Sequence, residues 1–330
     1  MKPTQISAAL ETAIQANRPV FLWGSPGIGK SQVVAQLAAK TDKKLIDLRL
    51  VHLDPVDLRG LPVLSGQGDS RSVVWVPPSF LPRSGKGILF LDEMNLAPQA
   101  VQAAGYQLVL DRRLGEYVLP EGWAIVAAGN REGDRTGVQR MPTALRNRFI
   151  HLNFEVDLND WVAWAIDHDI MTEIIAFLRF RPELLNNFDP SKDDKAFPTP
   201  RAWQFVSDIL KQKPDSSLEY ELISGAVGEG AAAEFTGFMR IYRTLPDPDL
   251  IIMNPKGAEV PTDPATLYAL CGALAKRAGD NSFPNIVEYS FRIPAEFSVL
   301  LITDIVKANK GLMKTRAFIA WTAKHSSVII

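Results

Sequence analysis

Cysteine, histidine and long apolar runs are scarce in this sequence. Its 330 residues include one cysteine, Cys271, inside the apolar stretch LYALCGALA, and four histidines. A single cysteine excludes an intrachain disulfide and is typical of a reducing compartment, and we expect Cys271 to be a core residue. His52 has no spaced cysteine or histidine companions, so a structural zinc site is not predicted.

An excess of charge, a signal-like start and a membrane-length segment are also missing. The chain has 36 basic and 37 acidic side chains and a net charge of −1, so no overall field draws it to nucleic acid. No apolar run approaches the roughly 18 residues that cross a bilayer, and MKPTQISAALETAIQANRP lacks the apolar region of a signal peptide. We therefore expect a cytoplasmic protein with no membrane insertion. Its 46% hydrophobic content suits a sizeable core in two or three domains.

Short apolar runs alternate with helix-like stretches in the first half of the chain. PVFLW, KLIDLRL, GILFLD, AIVAAGN and FIHLNF have the length of strands. Such alternation predicts an α/β fold in which a parallel sheet is covered by helices on both faces. After about residue 157 the sequence becomes amphipathic at helical spacing, as in RAWQFVSDILKQ, and we expect mostly helices to the end.

The first candidate site is GSPGIGKSQ at residues 24–32, between a predicted strand and a predicted helix. It fits the pattern G-x-x-x-x-G-K-[ST], in which glycines let backbone N–H groups converge on phosphate oxygens at the positive end of a helix. Lys30 would pair with the β- and γ-phosphates, and the Ser31 hydroxyl would ligate Mg²⁺. The structural alternative is a glycine-containing turn between a strand and a helix, with a solvated lysine. The predicted nucleotide-binding loop comprises Gly24, Ser25, Pro26, Gly27, Ile28, Gly29, Lys30, Ser31 and Gln32.

The second candidate site is GKGILFLDEMNLAP at residues 85–98. An apolar strand that ends in two carboxylates puts Asp92 and Glu93 at the carboxyl edge of the sheet, where open α/β sheets bind ligands. Asp92 would hold the magnesium ion together with Ser31, and Glu93 would orient or deprotonate the attacking water. Alone, the pair could instead cap the following helix. The loop at residues 24–32 favours the catalytic interpretation.

With these motifs the chain resembles the AAA+ ATPases, and within them the MoxR type and its dynein-related relatives. GSPGIGKS corresponds to Walker A and ILFLDEMN to Walker B. The strand in WAIVAAGN ends at Asn130, as sensor 1 does in this family. MPTALRNRF at residues 141–149 matches the segment of the arginine finger, and FPTPRAW at residues 197–203 matches sensor 2. The resemblance covers residues about 18 to 212 and implies a P-loop AAA+ core followed by an α-helical lid.

The resemblance also implies roles for four further residues. Asn130 would position the water beside the γ-phosphate. Arg148 would be the finger that reaches a neighbouring subunit, with Arg146 as second candidate, and Arg201 would reach the γ-phosphate of its own subunit from the lid. Each has a plain alternative, namely an asparagine in a turn, an exposed ion pair, or a surface arginine.

The expected domains are a nucleotide-binding core at 1–156, a helical lid at 157–213 and an accessory helical region at 214–330. The core carries an insertion at about 51–82, in which GLPVLSGQGDSRSVVWVP predicts a β-hairpin. In this group of ATPases such insertions face the central pore or a partner, and an exposed Trp75 would be a contact residue. The alternative is that Val73, Val74 and Trp75 pack on their own domain.

The resemblance implies an enzyme that hydrolyses ATP with Mg²⁺ in a hexameric ring. Such a protein would act as a chaperone that assembles, remodels or activates a protein complex, together with a partner that has a von Willebrand factor A domain. The alternatives are a nucleic-acid-directed motor of the restriction type and the motor subunit of a metal chelatase. The neutral net charge disfavours the nucleic-acid motor.

Overall fold

A five-stranded parallel sheet organises the N-terminal part of the chain. The computed structural model describes residues 1–67, 71–134 and 141–325. The strands within this part are β1 (Val20–Trp23), β2 (Lys44–Arg49), β3 (Leu61–Ser65), β4 (Ser72–Val76), β5 (Gly87–Asp92), β6 (Arg113–Leu114), β7 (Tyr117–Val118), β8 (Trp123–Gly129) and β9 (Ile150–Asn153). The order across the sheet is β2-β5-β8-β1-β9, and every neighbouring pair runs parallel. These five strands are the ones that the apolar runs predicted.

Helices cover both faces of this sheet. They are α1 (Pro3–Gln15), α2 (Lys30–Lys40), α3 (Pro55–Arg59), α4 (Gln99–Asp111) and α5 (Thr143–Arg146). Because side chains alternate along a strand, Leu89 of β5 packs in one core with Leu108 of α4. Its neighbour Phe90 packs in a second core with Leu10 of α1 and Val34 of α2. The predicted α/β fold with a parallel sheet between helices is confirmed.

A separate hairpin is formed by the antiparallel strands β3 and β4. The predicted hairpin is therefore confirmed, although residues 68–70 between its arms lie outside the described residues. Gly60 enters the hairpin at φ +84°, and a Cβ there would lie 2.0 Å from the Val76 carbonyl oxygen, so the position requires glycine. The Trp75 N–H donates to Glu116 Oε2 at 3.3 Å.

Every residue of β3 and β4 is exposed, although most are apolar. The exposed fraction is 72% for Leu64 and 39% for Trp75. The expected exposure of Trp75 is confirmed. Val73 and Val74 are also exposed, so the alternative in which these side chains pack into their own domain is wrong.

The chain divides into two compact units. The first comprises Met1–Asp157 with Phe188–Asp193, and the second comprises Leu158–Asn187 and the chain from Asp194 onward. The second unit contains α6 (Leu158–Asp167), α7 (Thr172–Phe180), α8 (Pro200–Lys211), α9 (Ser216–Val227), α10 (Glu229–Arg243), α11 (Pro248–Met253), α12 (Pro264–Lys276), α13 (Phe283–Ser290), α14 (Ala295–Ala308) and α15 (Arg316–His325). The expected helices are thus confirmed. None of the helices in the described ranges is long and apolar enough to cross a membrane.

The second unit has an apolar core of its own that includes Cys271. Burial raises the pKa of this thiol to about 12, so it behaves as a small core side chain, as expected from the sequence. Nearby charges are paired, because Arg179 of α7 forms a two-pronged ion pair with Asp304 of α14. Both side chains of the pair are largely buried.

Candidate functional site

The loop between β1 and α2 has the backbone of a phosphate cradle. Gly27 and Gly29 lie at φ +75° and +99°, a region that L side chains rarely adopt. Gly29 is the N-cap of α2 and has no side chain to accept a hydrogen bond from the first N–H groups of the helix. Those N–H groups and the positive end of the helix dipole are therefore directed at the loop, where an anion would be stabilised.

Lys30 folds back over this loop. Its Nζ donates to the carbonyl oxygens of Gly24 at 2.6 Å and Ser25 at 3.0 Å, and to Asn130 Oδ1 at 3.1 Å. Asn130 directly follows β8, the strand beside β1, so the predicted loop and the predicted sensor asparagine meet at one edge of the sheet. The cation is thereby held at the loop, where phosphate oxygens would be its natural partners.

Ser31 and Asp92 come together next to the lysine. The Ser31 hydroxyl donates to Asp92 Oδ2 at 2.7 Å, and Asp92 Oδ1 accepts from the Glu93 N–H at 2.9 Å. Asp92 is buried at the end of β5. A hydroxyl and a carboxylate are hard oxygen donors, and magnesium takes few ligands from protein when phosphates and water supply the others. The pair therefore fits a magnesium ion that binds together with a nucleotide.

Further negative charge surrounds this pair. Arg49 of β2 lies opposite Asp92 in the sheet register, and Asp47 lies on the same strand. Burial, and then the charge of Asp92, raise the pKa of the Asp47 carboxyl above its ordinary value. Glu93 adds to this rise in pKa, whereas Arg49 opposes it. Asp92 and Glu93 beside Asp47 concentrate carboxylates at this edge of the sheet, which makes it attractive to a divalent cation.

Glu93 has an unusual backbone. It lies at φ +55°, in the left-handed region that residues with a Cβ avoid. The strain directs the chain sharply away from β5 directly after Asp92. Strained residues of this kind cluster at functional sites, and Glu93 is the carboxylate predicted to act on water.

A buried asparagine that the sequence analysis left without a role lies in the same turn. Asn95 is 2% exposed; its Nδ2 donates to the Asn130 carbonyl at 2.8 Å, and its Oδ1 accepts from the Asn130 N–H at 3.2 Å. The one sequence signal that could have drawn attention to it is a polar residue between the apolar Met94 and Leu96. Asn95 thus joins the turn after β5 to the end of β8.

The two candidate finger residues differ in exposure. Arg146, at the end of α5, is half-buried, and its Nη2 donates to Thr143 Oγ1 at 3.3 Å, whereas Arg148 is exposed. In the part of the chain that the structure describes, neither side chain hydrogen-bonds to the phosphate loop. His151 joins their turn to β1, because its Nδ1 accepts from Trp23 Nε1 at 2.9 Å and its Nε2 lies 2.7 Å from the Arg146 carbonyl oxygen.

Arg201, the predicted sensor 2 residue, belongs to the second unit. It lies in the first turn of α8, directly after Pro200, and its side chain is exposed. Thr199 caps this helix, since its Oγ1 accepts from the Ala202 N–H at 3.0 Å. The position of the arginine is therefore set by a proline and a threonine cap, both of which favour the start of a helix.

Parts of the chain are similar to several known proteins. Residues 19–149 match the family described as "AAA domain (dynein-related subfamily)". Midasin of Giardia intestinalis is 28% identical over 191 residues, which are 53% of this chain and 4% of midasin. Protein NorQ of Paracoccus denitrificans is 30% identical over 158 residues, which are 45% of this chain and 56% of NorQ. Among solved structures, the RuvB Holliday junction branch migration motor of Thermotoga maritima matches with a TM-score of 0.38 and 18% identity, covering 82% of this chain and 80% of RuvB.

Proposed function

We propose that this chain is a magnesium-dependent ATPase, because its residues 19–149 match the dynein-related subfamily of AAA domains. The family match confirms the resemblance to the MoxR type and its dynein-related relatives. One observation carries the proposal. Asp92 ends β5, whereas Lys30 and Asn130 come after the neighbouring parallel strands β1 and β8, and the three residues converge with Ser31 at the carboxyl edge of the sheet.

Each residue then has a task in phosphoryl transfer. The loop N–H groups and Lys30 hold the phosphates, whose oxygens would replace the carbonyls that now accept from the Lys30 ammonium. Ser31 and Asp92 would hold a magnesium ion, which when bound neutralises charge on the phosphate oxygens. Glu93 orients the attacking water and accepts its proton, and Asn130 keeps that water in line. The role of Arg201 as sensor 2 stays a prediction.

Hydrolysis is proposed to need a neighbouring subunit in a ring. Arg148 is exposed, whereas Arg146 is half-buried. This difference supports Arg148 as the arginine finger that acts on the nucleotide of the neighbouring subunit. The exposed apolar hairpin of β3 and β4 supports a protein as the target, since solvent-exposed apolar surface of this kind favours protein contacts. We accordingly propose remodelling of a protein complex, with a von Willebrand factor A domain protein as partner.

The ATPase proposal is tested with two substitutions and a matched control. Lys30→Ala removes the phosphate contacts and should abolish ATP binding in calorimetry, whereas Glu93→Gln should keep ATP and lose turnover. Lys40→Ala is the control, because Lys40 lies at the far end of the same helix and pairs with Glu11 at 3.4 Å. It should bind and hydrolyse ATP like the unmodified protein. An unchanged ATP affinity for Lys30→Ala would contradict the assignment of the loop.

The remodelling proposal is tested by affinity capture with the Glu93→Gln form in the presence of ATP. A ring blocked before hydrolysis should retain its target, and we expect a protein in the eluate. The same capture with Lys30→Ala, which should bind no nucleotide, is the control. Stoichiometric DNA or RNA in the eluate would instead favour a nucleic-acid motor.

A further inference from the structure

Asn95 is a buried polar residue for which the proposed function has no use. We infer that Asn95 is a positioning residue that holds Asn130 and the Glu93 turn in the arrangement needed for ATP hydrolysis. The inference rests on the proposed ATPase activity. It starts from the two hydrogen bonds of the Asn95 amide, which meet both main-chain groups of Asn130.

These two hydrogen bonds fix the orientation of the Asn130 main chain. Nδ2 donates to the Asn130 carbonyl at 2.8 Å while Oδ1 accepts from the Asn130 N–H at 3.2 Å, so the side-chain amide grips one peptide residue from both sides. The main chain of Asn130 cannot rotate without breaking one of the two bonds. The Asn130 side chain is therefore directed at Lys30, whose Nζ lies 3.1 Å from Asn130 Oδ1.

The residue before Asn130 is matched to this contact. A Cβ added to Gly129 would lie 2.1 Å from Asn95 Oδ1 and 2.6 Å from its Cγ, closer than atoms approach without a shift. Glycine at 129 therefore gives the amide room to reach the main chain. Gly129 and Asn95 together determine this contact, although they lie 34 positions apart in sequence.

The same turn carries both acidic residues of the site. Asp92 and Glu93 precede Asn95, and the Met94 N–H donates to the Ala128 carbonyl at 3.0 Å. Two links therefore tie the turn to the end of β8, one through the Met94 main chain and one through the Asn95 side chain. Because Glu93 and Asn130 are both proposed to act on water, their relative placement decides the rate of hydrolysis more than the affinity for ATP.

The test compares Asn95→Ala with a control that removes another buried amide. Gln102 is 3% exposed, and its Nε2 donates to the Ala97 carbonyl at 2.9 Å within the same unit. For Asn95→Ala we expect unchanged ATP affinity and a kcat that is lower by about 10- to 100-fold, the range typical when a supporting contact is lost. Gln102→Ala should keep its kcat. A purely structural role for Asn95 would make the two variants alike.

Two further variants keep the outcome decisive. Gly129→Ala pushes a methyl group into the Asn95 amide and against the Phe21 ring, so kcat should fall as well. Asn95→Asp preserves the size of the side chain but turns a carboxylate oxygen towards the Asn130 carbonyl, so kcat should again fall. If either Asn95 variant has the same kcat as the unmodified protein, the inference is overturned and the ATPase proposal remains intact. An unmodified protein that binds no ATP overturns both.

Discussion

Two pairs of strands in this protein have similar apolar sequences and opposite surroundings. All six residues of β5 and all seven of β8 are buried, whereas all five of β3 and all five of β4 are exposed. The buried segments GILFLD and WAIVAAG and the exposed segments LPVLS and SVVWV all consist mostly of apolar residues. Apolar composition therefore indicates that a segment favours burial, but it does not indicate whether the residues that cover the segment belong to the same chain.

Neighbours explain the difference. β5 lies between β2 and β8 and has helices on both faces, so its side chains enter two apolar cores. Among the residues that the structure describes, β3 pairs only with β4, and a hairpin of two strands is marginal in water without further packing. The buried strands accordingly carry the site at their ends, and the exposed hairpin is free to contact another molecule.

The largest expected effect concerns Arg148, where an exposed residue is proposed to complete a buried site. If it acts on the γ-phosphate of the next subunit, Arg148→Ala should bind ATP and hydrolyse it about 10³- to 10⁵-fold more slowly, because such arginines stabilise charge that develops in the transition state. Steady-state phosphate release and calorimetry measure the two quantities.

Mixing the Arg148→Ala form with Lys30→Ala is the control for action between subunits. Each form is inactive for a different reason, and mixed rings contain interfaces with an intact loop on one side and an intact arginine on the other. Activity should return. Rings that demonstrably exchange subunits without regaining activity would refute the role of Arg148, and the same mixture with Arg146→Ala would test its neighbour.

The next effect compares the two kinds of strand directly. Phe90→Ala in β5 removes a fully buried ring and should lower the free energy of unfolding by about 3–5 kcal/mol. Val74→Ala in β4 should change it by less than about 0.5 kcal/mol. Urea unfolding of the two variants measures both. A comparable loss of unfolding free energy for Val74→Ala would mean that the hairpin packs against the rest of its own chain.

The smallest effect on stability, and a clear effect on binding, is expected at Trp75. Trp75→Ser should leave the free energy of unfolding within about 0.5 kcal/mol of the unmodified protein, because the ring is already exposed. In the Glu93→Gln background it should reduce the amount of captured protein. Leu218→Ser removes an apolar side chain outside the hairpin that is more exposed than Trp75, and it should leave capture unchanged. Equal capture by both variants would exclude the hairpin as the contact surface.

Part of the site could be predicted because its residues end predicted strands. Asp92 ends a predicted strand and was therefore expected at the carboxyl edge of the sheet, and the resemblance implied that Lys30 and Asn130 act on the same nucleotide. The contact of Asn95 could not be predicted, since it depends on the left-handed turn at Glu93 and on room beside Gly129. The bond from Trp23 to His151 joins residues 128 positions apart and depends on the pairing of β1 with β9.

The left-handed backbone of Glu93 sets stability against activity at one position. Glycine would adopt φ +55° without the steric cost that a Cβ imposes, so Glu93→Gly should relax the turn and raise the resistance of the protein to unfolding. The same change removes the carboxylate proposed to act on water. A screen that selects only for thermal tolerance would therefore favour a substitution that should abolish the proposed hydrolysis of ATP.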